Sequence, residues 1–387
     1  MNFEEFAAKP LLAAAGIAVP GSRLANDPKA AANACEKLGP CVIKAQVPIG
    51  KRGKAGGILA ADDAASAEDA ARRILGMDIG GYTVEKVLVE QQADIKHEFY
   101  AAVLNDPGSK GPLIMFSDMG GMDIEEIAEK QPQHLISVPV DIKKGPDSAT
   151  IRDAIGPLLS ANKDVAALGF TTLTADVADL LCALYTVYDS NDAELLEINP
   201  LAIVNDNQLS ALDCKFVMDD SAIVRQTELA KEGTPEKLTG RELDASKLDL
   251  KYIDLEGNVG VLANGAGLTM TTMDVVTHYG GQPANFLEIG GEAYTKATDA
   301  LKLMLGNDRI KSLVVNFCGA FARTDVMTDG VIKAWQELQP DIPVFFSIHG
   351  TGSEEARQLL KDKLGLESHE TMDDAIKAAV AAASSRS

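Results

Sequence analysis

Positive charge is concentrated in one glycine-rich segment of an otherwise acidic chain. Gly50–Gly57 contains Lys51, Arg52, Lys54 and four glycines, and it follows an apolar stretch that contains Lys44. Glycines let backbone N–H groups approach a phosphate, and Lys and Arg side chains neutralise it. No Ser or Thr follows these lysines, so the segment is not a Walker motif. It predicts a phosphate-binding loop; the alternative is a solvated basic hairpin, with Lys44 as a surface charge on an edge strand.

A second cluster supplies oxygen atoms suited to a metal ion. Glu197 and Asn199 are two residues apart in an apolar strand, so they share a face. If Asn205–Asn207 form the turn of a hairpin, the register places Asn199 opposite Asp213. Carboxylate and carboxamide oxygens suit a Mg²⁺ ion that keeps waters and bridges nucleotide phosphates. The alternative is ordinary alternation of polar and apolar residues.

The segment Leu88–Ala93 is an apolar strand that ends in polar residues. Such a strand end can read the edge of an adenine base through backbone N–H and C=O groups. Glu90 lies within it, and Lys96 and Glu98 on the next segment are ambiguous by themselves.

Bulk properties exclude several classes of partner. The chain has 387 residues, a hydrophobic fraction of 46% and a formal net charge of −21, which together indicate two or three acidic domains. Such a surface repels nucleic acid and anionic lipid. It also repels nucleotides and carboxylates, so an anion site must be built locally from cations, backbone N–H groups or a metal.

The cysteine pattern and the apolar runs favour a cytoplasmic protein. The five cysteines are scattered and no pair has metal-ligand spacing, which predicts reduced thiols. Met1–Lys9 has two glutamates and no cationic leader, so we expect no signal peptide. No apolar stretch approaches the ~20 residues that a membrane span needs.

The elements that must position these residues change character along the chain. Residues 1–235 predict an α+β pattern in which strands often neighbour one another in sequence. The polar segment 236–255 predicts a helix plus an interdomain connection. Residues 256–387 repeat strand, glycine turn and helix four times, one of the turns being Gly290-Gly291, which predicts a doubly wound parallel sheet. Ligands of such sheets bind at the carboxyl ends of the strands.

Taken together, several motifs resemble the β subunit of the succinyl-CoA synthetase family nearly from end to end. The residues that carry this resemblance are Asn2–Leu12, Lys44-Ala45-Gln46, Arg52-Gly53-Lys54-Ala55-Gly56-Gly57, Glu197-Ile198-Asn199-Pro200, Asn264-Gly265-Ala266-Gly267 and Pro283-Ala284-Asn285-Phe286-Leu287.

The resemblance implies an ATP-grasp domain followed by a flavodoxin-like CoA-ligase domain. It implies an acid–CoA ligase that uses ATP or GTP, Mg²⁺ and CoA, with a cytoplasmic location, or the mitochondrial matrix in a eukaryote. It also implies a partner α subunit that binds CoA and carries the phosphorylated histidine. The nucleotide-binding positions are Lys44, Lys51, Arg52, Gly53, Glu90, Ala93 and Glu98, the magnesium positions are Asn199 and Asp213, and Asn264 is a carboxylate-substrate position.

In the implied relay, Glu197 orients the partner's histidine so that the imidazole attacks the γ-phosphorus. The phosphohistidine then phosphorylates a carboxylate near Asn264 and the loop Gly319–Arg323, and CoA thiolate attacks the acyl phosphate. Five histidines are present, and none has the family's context for phosphorylation. They are His97, His134, His278, His349 and His369.

Three departures from the family pattern concern the acid. The loop that usually carries a glycine pair and a β-branched pair reads Gly319-Ala320-Phe321-Ala322-Arg323, so Ala320, Phe321 and Ala322 occupy the substrate-binding positions. Gly291-Glu292 replaces a glycine pair, and Ser347–Gly352 replaces an Arg-Leu-Glu-Gly pattern.

A fourth departure concerns the phosphate loop and not the acid. Lys51 stands where this loop usually has glycine.

Succinate or a similar acid is the expected substrate. The alternatives are a malate, citrate or sulfonated-acid ligase of the same superfamily, and a non-catalytic nucleotide sensor. Turnover with a panel of acids distinguishes among the alternatives.

Overall fold

The computed structural model describes residues 1–235, 237–238, 240–289 and 295–386. Two compact units are present, Met1–Glu236 and Lys237–Ser387. Among the described residues, no helix combines the length and the apolarity required to cross a bilayer.

The first unit mixes antiparallel sheets with helices. Its strands are β1 (Asn2–Phe3), β2 (Ser22–Ala25), β3 (Cys41–Ala45), β4 (Ile58–Ala61), β5 (Asp78–Ile79), β6 (Tyr82–Thr83), β7 (Val87–Gln91), β8 (His97–Asp106), β9 (Gly111–Ser117), β10 (Leu135–Pro139), β11 (Ala193–Val204), β12 (Gln208–Ala211), β13 (Lys215–Met218) and β14 (Gly233–Thr234). Its helices are α1 (Glu5–Ala14), α2 (Pro28–Leu38), α3 (Ala64–Ile74), α4 (Ile124–Lys130), α5 (Ser148–Ala161), α6 (Lys163–Ala167) and α7 (Leu173–Ser190).

The larger sheet of this unit has the strand order β10-β9-β8-β11-β13-β1-β14, with β12 paired to β11. Helix α7 buries Val177, Leu181 and Leu184 at helical spacing. These side chains share a core with Phe99 of β8 and Ile198 of β11. Helix α7 thereby covers the apolar face of the larger sheet. The side chains of this sheet that do not belong to the core remain available to line a site.

The smaller sheet has the order β2-β7-β3-β4 and packs against α2 and α3. Helix α3 begins after the N-cap Asp63, which forms a capping box with Ser66. A serine followed three residues later by an acid, Ser66 and Asp69, predicts Ser66 as the cap. This prediction is wrong, because Asp63 accepts from the Ser66 N–H. The smaller sheet carries Lys44 on β3 and Glu90 on β7.

Helix α1 connects the two sheets. The pattern of Asn2 followed by Glu5 predicts Asn2 as the N-cap of this helix. Asn2 lies instead in β1 and pairs with Val217 and Thr234. The helix begins at Glu5 instead, because the preceding residues are committed to the larger sheet. Ala8 and Leu12 of α1 are buried in the core of that sheet.

The second unit contains the predicted parallel sheet. Its strands are β15 (Tyr252–Asp254), β16 (Val259–Ala263), β17 (Asn285–Leu287), β18 (Ser312–Gly319), β19 (Val344–Gly350) and β20 (Ser368–His369), and its helices are α8 (Gly240–Lys247), α9 (Ala266–His278), α10 (Ala297–Leu305), α11 (Thr324–Leu338), α12 (Ser353–Leu364) and α13 (Met372–Ser385). Strands β16, β18, β19 and β20 pair in parallel in that order.

Two details of the second unit differ from a plain repeat. Strand β17 pairs antiparallel with β15, and the residues on either side of it, Pro283 and Glu288, form isolated parallel bridges to β16. The segment 236–255, interpreted from the sequence as a helix plus a connection, contains α8 and β15. Its Ala245, Leu250 and Tyr252 are buried in the core of the second unit. The predicted glycine turn Gly290-Gly291 and the departure at Gly291-Glu292 lie outside the described residues.

Candidate functional site

A cavity of about 530 Å³ lies in the first unit between residues of the smaller and larger sheets. It brings together most of the site residues predicted for this unit. Those that line it are Lys44, Lys51, Arg52, Gly53, Glu90, Ala93, Glu197, Asn199 and Asp213.

Lys44 lies inside this cavity rather than on the surface. Its side chain extends from β3 and is 9% exposed. The Nζ atom is 2.6 Å from Glu90 Oε1, 3.0 Å from Glu5 Oε1 and 2.5 Å from the carbonyl oxygen of Leu212. Burial opposes the charged ammonium, but Glu5 and Glu90 outweigh it and raise the pKa of Lys44 above its ordinary value. Lys44 therefore stays cationic at neutral pH.

Arg52 is the second buried cation of the cavity. It donates to Asp213 Oδ1 at 2.6 Å and to the Ala45 carbonyl at 3.0 Å. Its Nη1 also lies 2.8 Å from Glu5 Oε2. Burial opposes the charge, and the carboxylates of Asp213 and Glu5 together raise the pKa of Arg52.

Helix α1 contributes two charged residues that sequence reasoning missed. Glu5 and Lys9 are 2% and 3% exposed, and their side chains form an ion pair at 2.7 Å. Lys9 also pairs with Glu90 and donates to the Leu212 carbonyl at 3.0 Å. A signal was available, because Glu5 and Lys9 share one helix face with the buried Ala8 and Leu12.

The pKa of Glu5 follows from its surroundings. Burial alone would raise this pKa, but Lys44, Arg52 and Lys9 together lower it well below its ordinary value of 4.5. Glu5 is thus an anion held among three cations.

The hairpin that carries the predicted metal ligands has the expected register. Asn205–Asn207 form the turn, and Val204 pairs with Gln208. The same register holds beyond Asn199, where Glu197 pairs with Lys215.

The second strand of this hairpin is not continuous, however. The sequence predicts one strand over Gln208–Met218 after the turn. The structure has two shorter strands there, β12 and β13, because Pro200 on the facing strand has no N–H to offer the ladder. Asn199 and Asp213 both lie at this interruption. Their side chains are therefore not constrained by the regular pairing of a sheet.

Both of these side chains have protein partners at the cavity. Asn199 Oδ1 accepts from the Gly121 N–H at 2.8 Å, and its Nδ2 donates to the Met122 carbonyl at 2.9 Å. Asp213 Oδ1 accepts from Arg52 and from the Cys214 N–H. These residues offer one carboxamide and one carboxylate oxygen to the cavity. Within the described ranges, no group of three or more His, Cys, Asp or Glu residues could hold a metal.

Glu197 lies further along the same cavity. Its Oε2 accepts from the hydroxyl of Tyr100 at 3.2 Å. Burial is the largest influence and raises the pKa of Glu197, against opposing effects of Lys215 and Tyr100. Glu197 is therefore a partly buried carboxyl that accepts a hydrogen bond from one hydroxyl.

The glycine-rich loop turns back over the cavity. Lys51 adopts a positive φ of 62°, a region that glycine occupies more readily. Lys54 is exposed and pairs with Asp123 at 2.7 Å, immediately before α4. Position 57 requires glycine, because a Cβ there would lie 2.8 Å from the Ile79 side chain and 3.0 Å from the Ala45 side chain.

The remaining nucleotide positions divide between the cavity and its surroundings. Ala93 lines the cavity, and Glu90 reaches it with a buried carboxylate. Among the described residues, those that line the cavity do not include Glu98. Glu98 lies on β8 against Gly121, where an added Cβ would be 2.5 Å from its Oε2.

The carboxyl edge of the parallel sheet holds the predicted acid-binding residues together. Asn264 follows β16 and exchanges two hydrogen bonds with the backbone of Cys318 at the end of β18, at 2.8 and 2.9 Å. Ala320, Phe321 and Ala322 follow directly, and Phe321 is fully exposed. The Gly319 carbonyl lies only 2.0 Å from where a Cβ on Gly350 would be, so this turn requires glycine.

The sequence patterns of two domain families match the chain. The ATP-grasp domain family matches residues 2–203. The CoA-ligase family matches residues 262–384. The predicted order of an ATP-grasp domain and a flavodoxin-like ligase domain is therefore confirmed.

Curated relatives are similar over almost their whole length. The GDP-forming succinate–CoA ligase subunit beta of Thermus thermophilus is 40% identical over 365 residues, which is 94% of each chain. The ADP-forming subunit beta of Halorubrum lacusprofundi is 39% identical over 384 residues, and that of Rubrobacter xylanophilus is 39% identical over 385 residues. Each of these two alignments covers 98% of both chains.

A solved structure shares the fold. The ATP citrate lyase of Methanothrix soehngenii, in complex with citrate and coenzyme A, superposes with a TM-score of 0.63 at 23% identity, covering 98% of this chain and 99% of the other. The domain matches, and the relatives that align from end to end, lead to one conclusion. The chain belongs to the succinate–CoA ligase β-subunit family.

Proposed function

We propose that this chain is the nucleotide-binding subunit of an NDP-forming acid–CoA ligase, with succinate or a similar short acid as substrate. The enzyme joins the acid to CoA at the expense of ATP or GTP. An α-type partner subunit binds CoA and supplies the histidine that is phosphorylated. The family membership supports the ligase activity, and the names of the relatives support succinate as the acid.

The observation that carries the nucleotide role is the cavity of the first unit. Two buried cations, Lys44 and Arg52, face the two predicted metal ligands, Asn199 and Asp213, within it. Triphosphates require both kinds of group, because cations and a metal ion neutralise the charge that develops as a phosphoryl group is transferred.

The donor set at Asn199 and Asp213 fits Mg²⁺. One carboxylate and one carboxamide are hard oxygen donors, and Mg²⁺ is commonly held by one or two such groups together with waters and substrate phosphates. Bound Mg²⁺ would neutralise the phosphate oxygens of the nucleotide.

The chain's own residues then act on the phosphates and on the incoming histidine. Lys44 and Arg52 exchange part of their pairing with carboxylates for pairing with phosphate oxygens. Lys51 and the N–H groups near Gly53 contact the outer phosphates. Glu197 accepts a hydrogen bond from one nitrogen of the partner's imidazole, so that the other nitrogen is free to attack the γ-phosphorus.

The second unit binds the acid in this proposal. Asn264 presents a side-chain amide at the end of β16, and helix α11 begins directly after the loop Gly319–Arg323. The partial positive charge at the start of a helix favours a carboxylate. The acid is phosphorylated there by the phosphohistidine, and CoA thiolate then displaces phosphate to form the thioester.

A labelling experiment tests the relay. The chain is purified alone and with its α-type partner, and each sample receives Mg²⁺ and γ-labelled ATP or GTP. We expect acid-labile label on the partner, which succinate and CoA discharge. Stoichiometric label on this chain alone would contradict the proposal.

A ligase for a bulkier short acid is the second candidate. The observation that favours it is the exposed Phe321 in the loop predicted to contact the acid. Thioester formation is measured over a panel of succinate, malate, citrate and a sulfonated acid. A different acid site would change the order of preference among these acids, so that order distinguishes the two candidates.

A further inference from the structure

We propose that Glu5 and Lys9 of α1 are positioning residues for the nucleotide, a role that rests on the proposed function. Neither residue belongs to the glycine-rich loop or to the hairpin of Asn199 and Asp213. Glu5 lines the cavity, and Lys9 lies behind it in contact with Glu5 and Glu90.

Glu5 holds the two phosphate-binding cations next to each other. Its Oε1 lies 3.0 Å from Lys44 Nζ, and its Oε2 lies 2.8 Å from Arg52 Nη1. Lys44 comes from β3 and Arg52 from the glycine-rich loop. One carboxylate therefore sets the separation of two cationic groups that would otherwise repel each other.

Lys9 holds the opposite side of the same cluster. It pairs with Glu5 and Glu90, and it donates to the Leu212 carbonyl. Leu212 directly precedes Asp213, at the interruption between β12 and β13. Lys9 therefore ties the backbone beside a predicted metal ligand to the charges of the smaller sheet.

The charges in this cluster balance, because Lys9, Lys44 and Arg52 face Glu5, Glu90 and Asp213. Helix α1 contributes one charge of each sign. Without Lys9, three carboxylates would face two cations, and Lys44 would be drawn more strongly to Glu90. The position of Lys9 leaves Lys44 and Arg52 able to exchange partners with a phosphate.

Helix α1 is well placed to hold both residues rigidly. Its Phe6 N–H donates to the buried Gln46 side chain at 2.9 Å, which ties the helix to the end of β3. Leu12, one turn beyond Lys9, is buried in the core of the larger sheet. A rigid support of this kind is what a preorganised anion site requires.

Stability alone is a poor explanation for these buried charges. Burying an ion pair costs desolvation energy that the attraction often fails to recover, and apolar residues of similar volume commonly serve as well. Beside a cavity that takes phosphate, the same residues have a role in positioning the cations, which packing alone does not explain.

The experiment compares two half-reactions in the complete complex with the partner subunit. The first is phosphorylation of the partner's histidine by Mg-ATP, which releases ADP. The second is phosphorylation of the same histidine by succinyl-CoA and inorganic phosphate, which releases succinate and CoA. Only the first uses the cavity of the first unit, so the ratio of the two rates separates a nucleotide defect from a loss of folded protein.

The variants are Lys9→Gln, Lys9→Arg and the double variant Glu5→Gln/Lys9→Gln. For Lys9→Gln we expect the KM for Mg-ATP and the Kd for Mg-ADP to rise about 10- to 100-fold, because a buried charged hydrogen-bond partner is lost. Lys9→Arg keeps the charge and should recover most of the affinity. The double variant keeps the cluster neutral, so it folds even if Lys9→Gln does not, and it should show the same nucleotide defect.

Lys86→Met is the matched control. Lys86 pairs with Glu4 at 2.7 Å, next to the start of the same helix, and it does not line the cavity. We expect its KM and Kd to match those of the unchanged protein. If Lys9→Gln and the double variant lower both half-reactions equally, or leave the Kd for Mg-ADP unchanged, Glu5 and Lys9 serve the fold only and the inference is wrong.

The proposed function can fail separately. If the unchanged complex gives no phosphohistidine from Mg-ATP, the relay fails, but the Kd for Mg-ADP still tests the positioning role. Weaker Mg-ADP binding in the double variant supports that role in either case.

Discussion

The two candidate sites of this protein are built from different materials. In the first unit, Glu5, Lys9, Lys44 and Glu90 are buried and paired with one another by side-chain ion pairs. In the second unit, the carboxyl edge of the parallel sheet uses backbone groups and an asparagine amide, and its most prominent side chain, Phe321, is fully exposed.

This difference separates two kinds of task. A phosphate chain carries several charges in a shared arrangement, so a site for it gains from cations that are held rigidly in advance. A short acid is distinguished by its size and its few polar groups, which loop residues can match without rebuilding a core. Substitutions in the first site should therefore affect folding and activity together, and those in the second should affect activity alone.

The largest effect is expected for Lys44→Met. It removes a proposed phosphate-binding cation and leaves Glu5 and Glu90 with one partner fewer. We therefore expect about a 1,000-fold loss of histidine phosphorylation by ATP and a loss of roughly 3 kcal/mol in the free energy of unfolding. Half-reaction rates and denaturant unfolding measure these two changes. Lys29→Met, on α2, is the control, and a normal rate for Lys44→Met would remove Lys44 from the nucleotide site.

Asp213→Asn tests the predicted metal ligand. The amide keeps the shape of the side chain but weakens its hold on Mg²⁺, so we expect the Mg²⁺ concentration for half-maximal phosphorylation to rise about 10-fold or more. The thioester-driven half-reaction supplies the internal control. An unchanged Mg²⁺ dependence would mean that Asp213 serves Arg52 and not a metal.

The ion pairs of Glu5 predict a pH dependence of stability. The pKa of Glu5 is held below its ordinary value of 4.5 in the folded protein by Lys44, Arg52 and Lys9, despite burial. A lowered pKa stabilises the folded state above about pH 4.5, and this contribution is lost as the pH falls further.

Glu5→Gln should therefore flatten the decline in the free energy of unfolding below about pH 4.5, as measured by urea denaturation at several pH values. Glu68→Gln removes an exposed pair with Arg72 and is the control. A decline as steep as in the unchanged protein would contradict the role assigned to Glu5.

Phe321→Ala tests the other half of the comparison. Because the ring is fully exposed, we expect the free energy of unfolding to change by no more than about 0.5 kcal/mol. The KM values for acids of different size should change relative to one another, while the KM for ATP stays the same. Val326→Ala, at an exposed position on α11, is the control; equal effects of both variants on the acid panel would argue against a specific role for Phe321.

The smallest effect concerns the thiols. Cys318 is exposed at the edge of the parallel sheet, whereas Cys41 and Cys214 are buried. Burial is the main cause that raises the pKa of Cys41 to about 12. We expect a thiol reagent to modify Cys318 first in the native protein, as mass spectrometry of timed samples would show; earlier modification of Cys41 would contradict the burial of the smaller sheet's core.

Much of the fold could be predicted from local patterns. Apolar periodicity and turn residues predict a strand over Ala193–Val204, a turn at Asn205–Asn207 and a helix over Ala297–Leu305. The structure gives β11, the turn and α10 the same bounds. The repeated strand, glycine turn and helix of residues 256–387 likewise predict the parallel sheet. These features depend on neighbours in the chain, so local sequence determines them.

The composition of the nucleotide cavity was decided by tertiary structure. Sequence patterns indicate Lys44, Arg52, Asn199 and Asp213, but not that Lys44 would donate to the Leu212 carbonyl, 168 residues away. They also do not indicate that Asn199 would be bound by the backbone of Gly121 and Met122.

The physical reason is that a buried charge needs counter-charges from whatever elements pack beside it, whatever their order in the chain. Helical spacing places Glu5 and Lys9 on the buried face of α1, but the charges that they meet are visible only after α1 is packed against both sheets. Sequence determined which elements form and which residue types are available, and packing decided which charges meet.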